Sequence, residues 1–106
     1  MIKNLTTLEA KIKYRFFAKL WRNSAEGGWY FVTVPKEISK EIRDNLRWQE
    51  EGWGRMKAIA IIEDLSWNTS IWFDTKADNY LLPVKSAIRK KLLLKDNDVL
   101  KVSVLI

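Results

Sequence analysis

The chain has 106 residues, a formal net charge of +6, and neither cysteine nor histidine. This length suits one domain spanning residues 1–106 around a single core. The missing residue types exclude disulfides, thiolate chemistry, zinc sites built on Cys or His, and any triad that needs an imidazole.

Charge is unevenly spread, at +5 over residues 1–22, −3 over residues 23–82 and +4 over residues 83–106. Terminal strands lying side by side would merge the two basic ends into one positive face, although lysine and arginine also fill the wet side of ordinary amphipathic strands. The opening MIKNLTTLEAKIK lacks the apolar centre of a signal peptide, and no stretch is apolar for long enough to cross a bilayer. A soluble, cytoplasmic protein is expected.

From Ala10 to Leu20 apolar and charged residues alternate. Ala10, Ile12, Tyr14, Phe16, Ala18 and Leu20 fall on the inner side of a half-buried strand. The turn formers Asn23 to Gly28 follow, then a β-rich run from Trp29 to Val34, so these segments read as a hairpin. Pro35 ends the ladder and opens a short amphipathic helix carrying Ile38, Ile42 and Leu46 on one face. Gly52 and Gly54 bracket Trp53 in the next loop. Arg55 to Ile62 and Trp67 to Asp74 then read as a second hairpin turning at Glu63-Asp64, with Trp67, Thr69, Ile71 and Phe73 on one side. A polar turn leads to a short strand, Tyr80 to Leu82. Pro83, a helix from Ser86 to Leu92, a turn at Lys95 to Asp98 and a last strand from Val99 to Leu105 complete the chain.

The order strand, proline, short helix with Ile-Arg, turn and strand occurs twice, and the copies align Pro35 with Pro83 and Ile42-Arg43 with Ile88-Arg89. About six strands and two short helices, doubled in this way, predict a mainly β fold: a small barrel with an internal pseudo-two-fold axis.

The second copy, with Pro83, Ile88, Arg89, Lys90, Leu94, Asp98, Val99 and Val102, resembles the half-motif of the swapped-hairpin regulators of the AbrB and MazE type. Asn97 stands where those proteins have glycine, so asparagine must take the positive φ of the turn. Over the whole chain GGWYFVTVPKEI, GWGRMKA and SIWFDTKADNYLLPVKSAIRKK resemble a bacterial family known only as a domain of unknown function. That resemblance implies a double-split β-barrel built as a monomer from two swapped-hairpin halves, with frequent fusion in relatives to a bacteriocin-protection-like domain. It implies no activity.

Six tryptophans stand out. Trp29 and Trp67 sit at core-like positions. Trp53, between glycines, is either presented from its loop or folded over the preceding helix. Trp72 shares a strand face with polar Asn68, Ser70 and Asp74, so its ring should be half exposed. Lys85 enters the second helix at its N-terminal end, where a cation is unfavourable unless Asp74 or a bound anion faces it. Trp53, Arg55, Trp72, Asp74 and Lys85 thus form a candidate aromatic-cationic site for an anionic or planar ligand.

The alternative is a nucleic-acid-binding face made of Lys11, Lys13, Arg15, Lys19, Arg89, Lys90 and Lys91. The carboxylate pairs Glu50-Glu51, Glu63-Asp64 and Asp74 with Asp78 fall in turns, where acids commonly serve local hydrogen bonding. No catalytic residue, metal site or cofactor is expected, and the sequence reads as a non-enzymatic binding or accessory module whose partner is a small ligand, a protein or nucleic acid.

Overall fold

Period-two alternation decides which side of each strand is buried. The structure, a computed structural model describing residues 11–24 and 28–106, follows that alternation most cleanly in its first, fourth and last strands. β1 (Lys13–Lys19) buries Tyr14 and Phe16 and exposes Lys13, Arg15, Phe17 and Lys19. β2 (Trp21–Asn23) resumes after a break at Leu20 and pairs with β3 (Trp29–Thr33). α1 (Lys36–Leu46) buries Ile42 and Leu46, and two 3₁₀ turns (Arg47–Gln49 and Gly52–Gly54) lead into β4 (Arg55–Ile62). β5 (Leu65–Asp74), β6 (Asn79–Pro83), α2 (Ser86–Lys91) and β7 (Val99–Leu105) follow. Two parts of the expected pattern, Ala10 of the inner face and Ala25 to Gly27 of the first turn, lie outside the described residues.

All neighbouring strands are antiparallel, in the order β1-β7-β4-β5-β6-β3-β2. The sheet curls into a half-barrel whose two end strands, β1 and β2, are consecutive in the chain. Leu20 joins them: its side chain is fully buried, its N–H donates to Asp98 O at 2.9 Å, and its carbonyl accepts from Asn97 N–H at 2.8 Å. Beyond the break, β2 is a strand additional to the six expected: the first was expected to end at Leu20 and the turn to begin at Asn23, which instead belongs to β2. Asn97 takes the left-handed conformation, φ 73°, that its place in this turn requires.

The pseudo-two-fold axis passes through the β3–β6 pair. Val34 N–H donates to Tyr80 O and Val84 N–H to Tyr30 O, both at 2.9 Å. Val32 lies opposite Leu82 between them. Residues 30–34 are therefore equivalent to residues 80–84. Around this axis β1 with β2 corresponds to β5, and β4 to β7, its own partner. The alignment of Pro35 with Pro83 is corrected by this register: Pro35 corresponds to Lys85, Pro83 to Thr33, and Ile88 to Ile38 rather than Ile42. The prolines mislead because one closes the strand from the helix side and the other still belongs to it.

Two further expectations change. Trp29 is 51% exposed because β3 turns Tyr30, Val32 and Val34 inward, leaving Trp29 on the outer face. Ile12, beyond the end of β1, pairs through its backbone with Ile106 and is 47% exposed. The core lies inside the curl, where Val32, Val34, Ile42, Met56, Ile71 and Val102 are fully buried.

Each half also caps its own strand exit through a side chain at equivalent positions. Ser39 Oγ donates to Val34 O and Arg89 Nε donates to Val84 O, each at 3.1 Å. Ser39 Oγ additionally accepts from the buried Tyr80 N–H at 3.0 Å. Ser39→Ala leaves that donor and the Val34 carbonyl without the hydroxyl. It is expected to lower stability by about 1–3 kcal/mol, measured as a shift of the urea midpoint at unchanged m-value.

Candidate functional site

After Val84 the chain leaves the sheet for α2, so β5 loses its β6 neighbour on the N-terminal side of Trp72. A cleft of about 440 Å³ occupies this split. Trp29 and Tyr30 of β3, with Gly28, form one wall, Pro83 and Val84 another, and Thr69 of β5 contributes to the lining. Lys85, Ser86 and Arg89 complete it.

Arg89 is held in two ways. Its guanidinium lies 3.9 Å from the Tyr30 ring centroid, and its Nε is tied to Val84 O. The terminal amines take no protein acceptor among the described residues, and neither Arg89 nor Lys85 has an ion-pair partner there. A third cation, Arg22, pairs across from Tyr30. Its guanidinium packs against Gly28, where an added Cβ would come within 2.7 Å of Nη2; Gly28 has φ +79°. The positive φ favours glycine there, and the absence of a side chain lets the Arg22 guanidinium lie close. Among the described residues, none that lines the cleft is acidic. The arrangement can stack a flat ring and neutralise a carboxylate or phosphate through a planar, prepositioned guanidinium.

Beside the cleft, on the outside of the sheet, Trp21, Trp29, Phe31 and Trp72 form one aromatic cluster. Ring centroids lie 5.6 Å apart for Trp29–Trp72, 5.8 Å for Phe31–Trp72 and 5.2 Å for Trp21–Phe31. Trp21 Nε1–H donates to Thr33 Oγ1 at 2.9 Å, which fixes its ring over Phe31. Phe31 is only 5% exposed although it faces away from the core, because the indoles cover it.

The equivalent split in the other half is filled. There Lys36 Nζ reaches Ala77 O at 2.9 Å, Ser39 bridges Val34 and Tyr80, and the Tyr80 hydroxyl donates to Glu50 Oε2 at 2.7 Å. Burial, then the neighbouring Glu50 carboxylate, pushes the Tyr80 phenol far above its ordinary range, so it stays protonated and keeps donating. Arg43 stacks 3.7 Å from the Phe73 centroid.

Of the residues singled out in the sequence, Lys85 lines the cleft and Trp72 supports it through Trp29. Arg55 lies opposite Trp72 on the next strand, outside the cleft lining. Asp74 Oδ1 accepts the backbone N–H groups of Lys76 and Ala77 in its own turn and makes no ion pair with Lys85. Trp53 is 95% exposed, with φ 68°, and its ring is not folded over the preceding helix. Lys13, Arg15 and Lys19 share the outer side of β1, and Lys11 is exposed just before it. Arg89 turns into the cleft, while Lys90 and Lys91 remain exposed on α2. Sequence reasoning missed Gly28, Tyr30 and Arg89 as cleft residues; the shared spacing of Tyr30 to Val34 and Tyr80 to Val84 was the available signal. Glu50 reads as a turn acid but is tied to Tyr80 and lies 4.0 Å from Arg43.

The family described as a domain of unknown function, DUF1905, matches residues 16–104. The chain belongs to the DUF1905 family. The match runs from Phe16 in β1 to Val104 in β7, and so includes the whole cleft and most of both halves of this chain's internal repeat. No curated protein matches the chain. Among the described residues, no helix is long and apolar enough to cross a membrane, and no group of three or more His, Cys, Asp or Glu could hold a metal ion.

The two tryptophans first read as one site should separate in stability. Trp72→Ala uncovers Phe31 and is expected to cost about 1–3 kcal/mol. Trp53→Gly removes an exposed ring from a left-handed position and should stabilise by up to about 1 kcal/mol. Chemical denaturation of both variants measures the contrast.

Proposed function

We propose that this DUF1905 protein is a binding module whose cleft between β3 and α2 takes a small planar anion, an aromatic ring bearing a carboxylate or phosphate. The observation that carries the reading is Arg89: stacked on Tyr30, anchored by Nε, and with its terminal amines taking no partner among the described residues, beside Lys85 and the exposed Trp29 ring. A guanidinium fixed in this way loses little freedom when an anion binds, and bidentate geometry suits carboxylate and phosphate alike. Trp29 and Tyr30 supply the flat apolar contact. A cleft of this volume fits a one- or two-ring compound.

Titration with 2-naphthoate and with a nucleoside monophosphate, following tryptophan emission, tests the proposal. At least one is expected to saturate in the micromolar to millimolar range, and the matching uncharged compound to bind at least about tenfold more weakly. Arg89→Ala and Lys85→Ala should each weaken the anion by about tenfold, while Trp53→Ala leaves it unchanged. Absence of saturation by either anion, or saturation indifferent to both cation variants, overturns the reading.

A further inference from the structure

The outer face of β1 and β7 belongs neither to the cleft nor to the core. Lys13, Arg15, Phe17 and Lys19 follow one another on the exposed side of β1. The register sets Lys101 of β7 opposite Phe17, Ser103 opposite Arg15 and Val99 opposite Lys19. Phe17 keeps 69% of its surface exposed and Val99 63%. A shallow groove of about 580 Å³ lies on this face, lined by Lys13, Arg15 and Lys101 and also by Glu63 and Asp64 of the β4–β5 turn. None of Lys13, Arg15, Lys19 and Lys101 has an ion-pair partner among the described residues.

Four cations around one exposed ring, without ion-pair partners among the described residues and on a surface held rigid by the β1–β7 ladder, match a polyanion that also carries flat groups. We propose that this face binds single-stranded nucleic acid, with a base stacked on Phe17 and the backbone tracking Lys13, Arg15, Lys19 and Lys101. Successive outward side chains on a strand lie about 7 Å apart, a spacing that an extended nucleotide chain can follow phosphate by phosphate. Stacking on an aromatic ring tolerates any base, so the surface favours single strands over duplex and shows little sequence preference. It is separate from the cleft and does not rest on the anion-binding reading.

Fluorescence anisotropy of a labelled single-stranded oligonucleotide, titrated at several salt concentrations, tests the proposal. Four phosphate contacts predict a slope of log affinity against log salt of about −3. Phe17→Ala should weaken binding roughly tenfold at an unchanged slope, whereas Arg15→Ala or Lys101→Ala should each reduce the slope by about 0.7. Lys85→Ala and Arg89→Ala should have no effect, which separates this surface from the cleft. All these side chains are exposed or half-buried, and unchanged circular dichroism confirms the fold of each variant. No binding at low salt overturns the proposal. So does binding that is equal for duplex or polyglutamate and indifferent to Phe17→Ala, which would mark general attraction to polyanions or to an acidic protein.

Discussion

Two backbone hydrogen bonds, Val34 N–H to Tyr80 O and Val84 N–H to Tyr30 O, hold the halves of this protein in one register. Each closes the last rung of the β3–β6 pair just before its strand leaves the sheet. The departures create two splits, one beside β5 and the other at the equivalent place beside β1 and β2. What fills them distinguishes the halves. α1 has eleven residues and α2 six, so the first split receives a longer helix and the polar groups that accompany it.

Chemistry diverges at equivalent positions. Ser39 and Arg89 both donate to the carbonyl of the valine five residues before them. The serine is small enough to be buried and to accept the Tyr80 N–H as well, which seals its side. The arginine is too large for that space and lies over Tyr30 instead, its terminal amines without a partner among the described residues. Tyr80 is buried and bonded to Glu50; Tyr30 is half-buried under a guanidinium. A closed polar network stands on one side of the axis and an open, positively charged aromatic cleft on the other.

Much of the fold is visible in the chain because alternation is a local signal. Tyr14 and Phe16, Met56 and Ala58, Ile71, and Val102 and Val104 take the inner positions that their spacing gives them. The break at Leu20 is not local: the residue continues the alternation, and only the change of partner from β7 to β3 divides the strand. Prolines misled the alignment of the repeats because proline marks where a strand can stop, not which residue pairs across the axis. The cleft was only half legible. Lys85 and Trp72 stand out by residue type and position, whereas Arg89 sits in a run of three cations that reads as a wet helix face until Tyr30 is seen beneath it. Trp53 stands out because its glycines free the backbone, yet among the described residues it is almost fully exposed and outside the cleft lining.

The internal axis has a consequence for how such a molecule can vary. A barrel assembled from two identical chains repeats every substitution on both sides, so a residue that opens one split opens the other and removes the plug that supports the core. With both halves in one chain, position 39 and position 89 are independent letters. Serine at one can maintain the scaffold while arginine at the other explores new chemistry, and the mutational load of a specialised surface falls on only one side of the molecule.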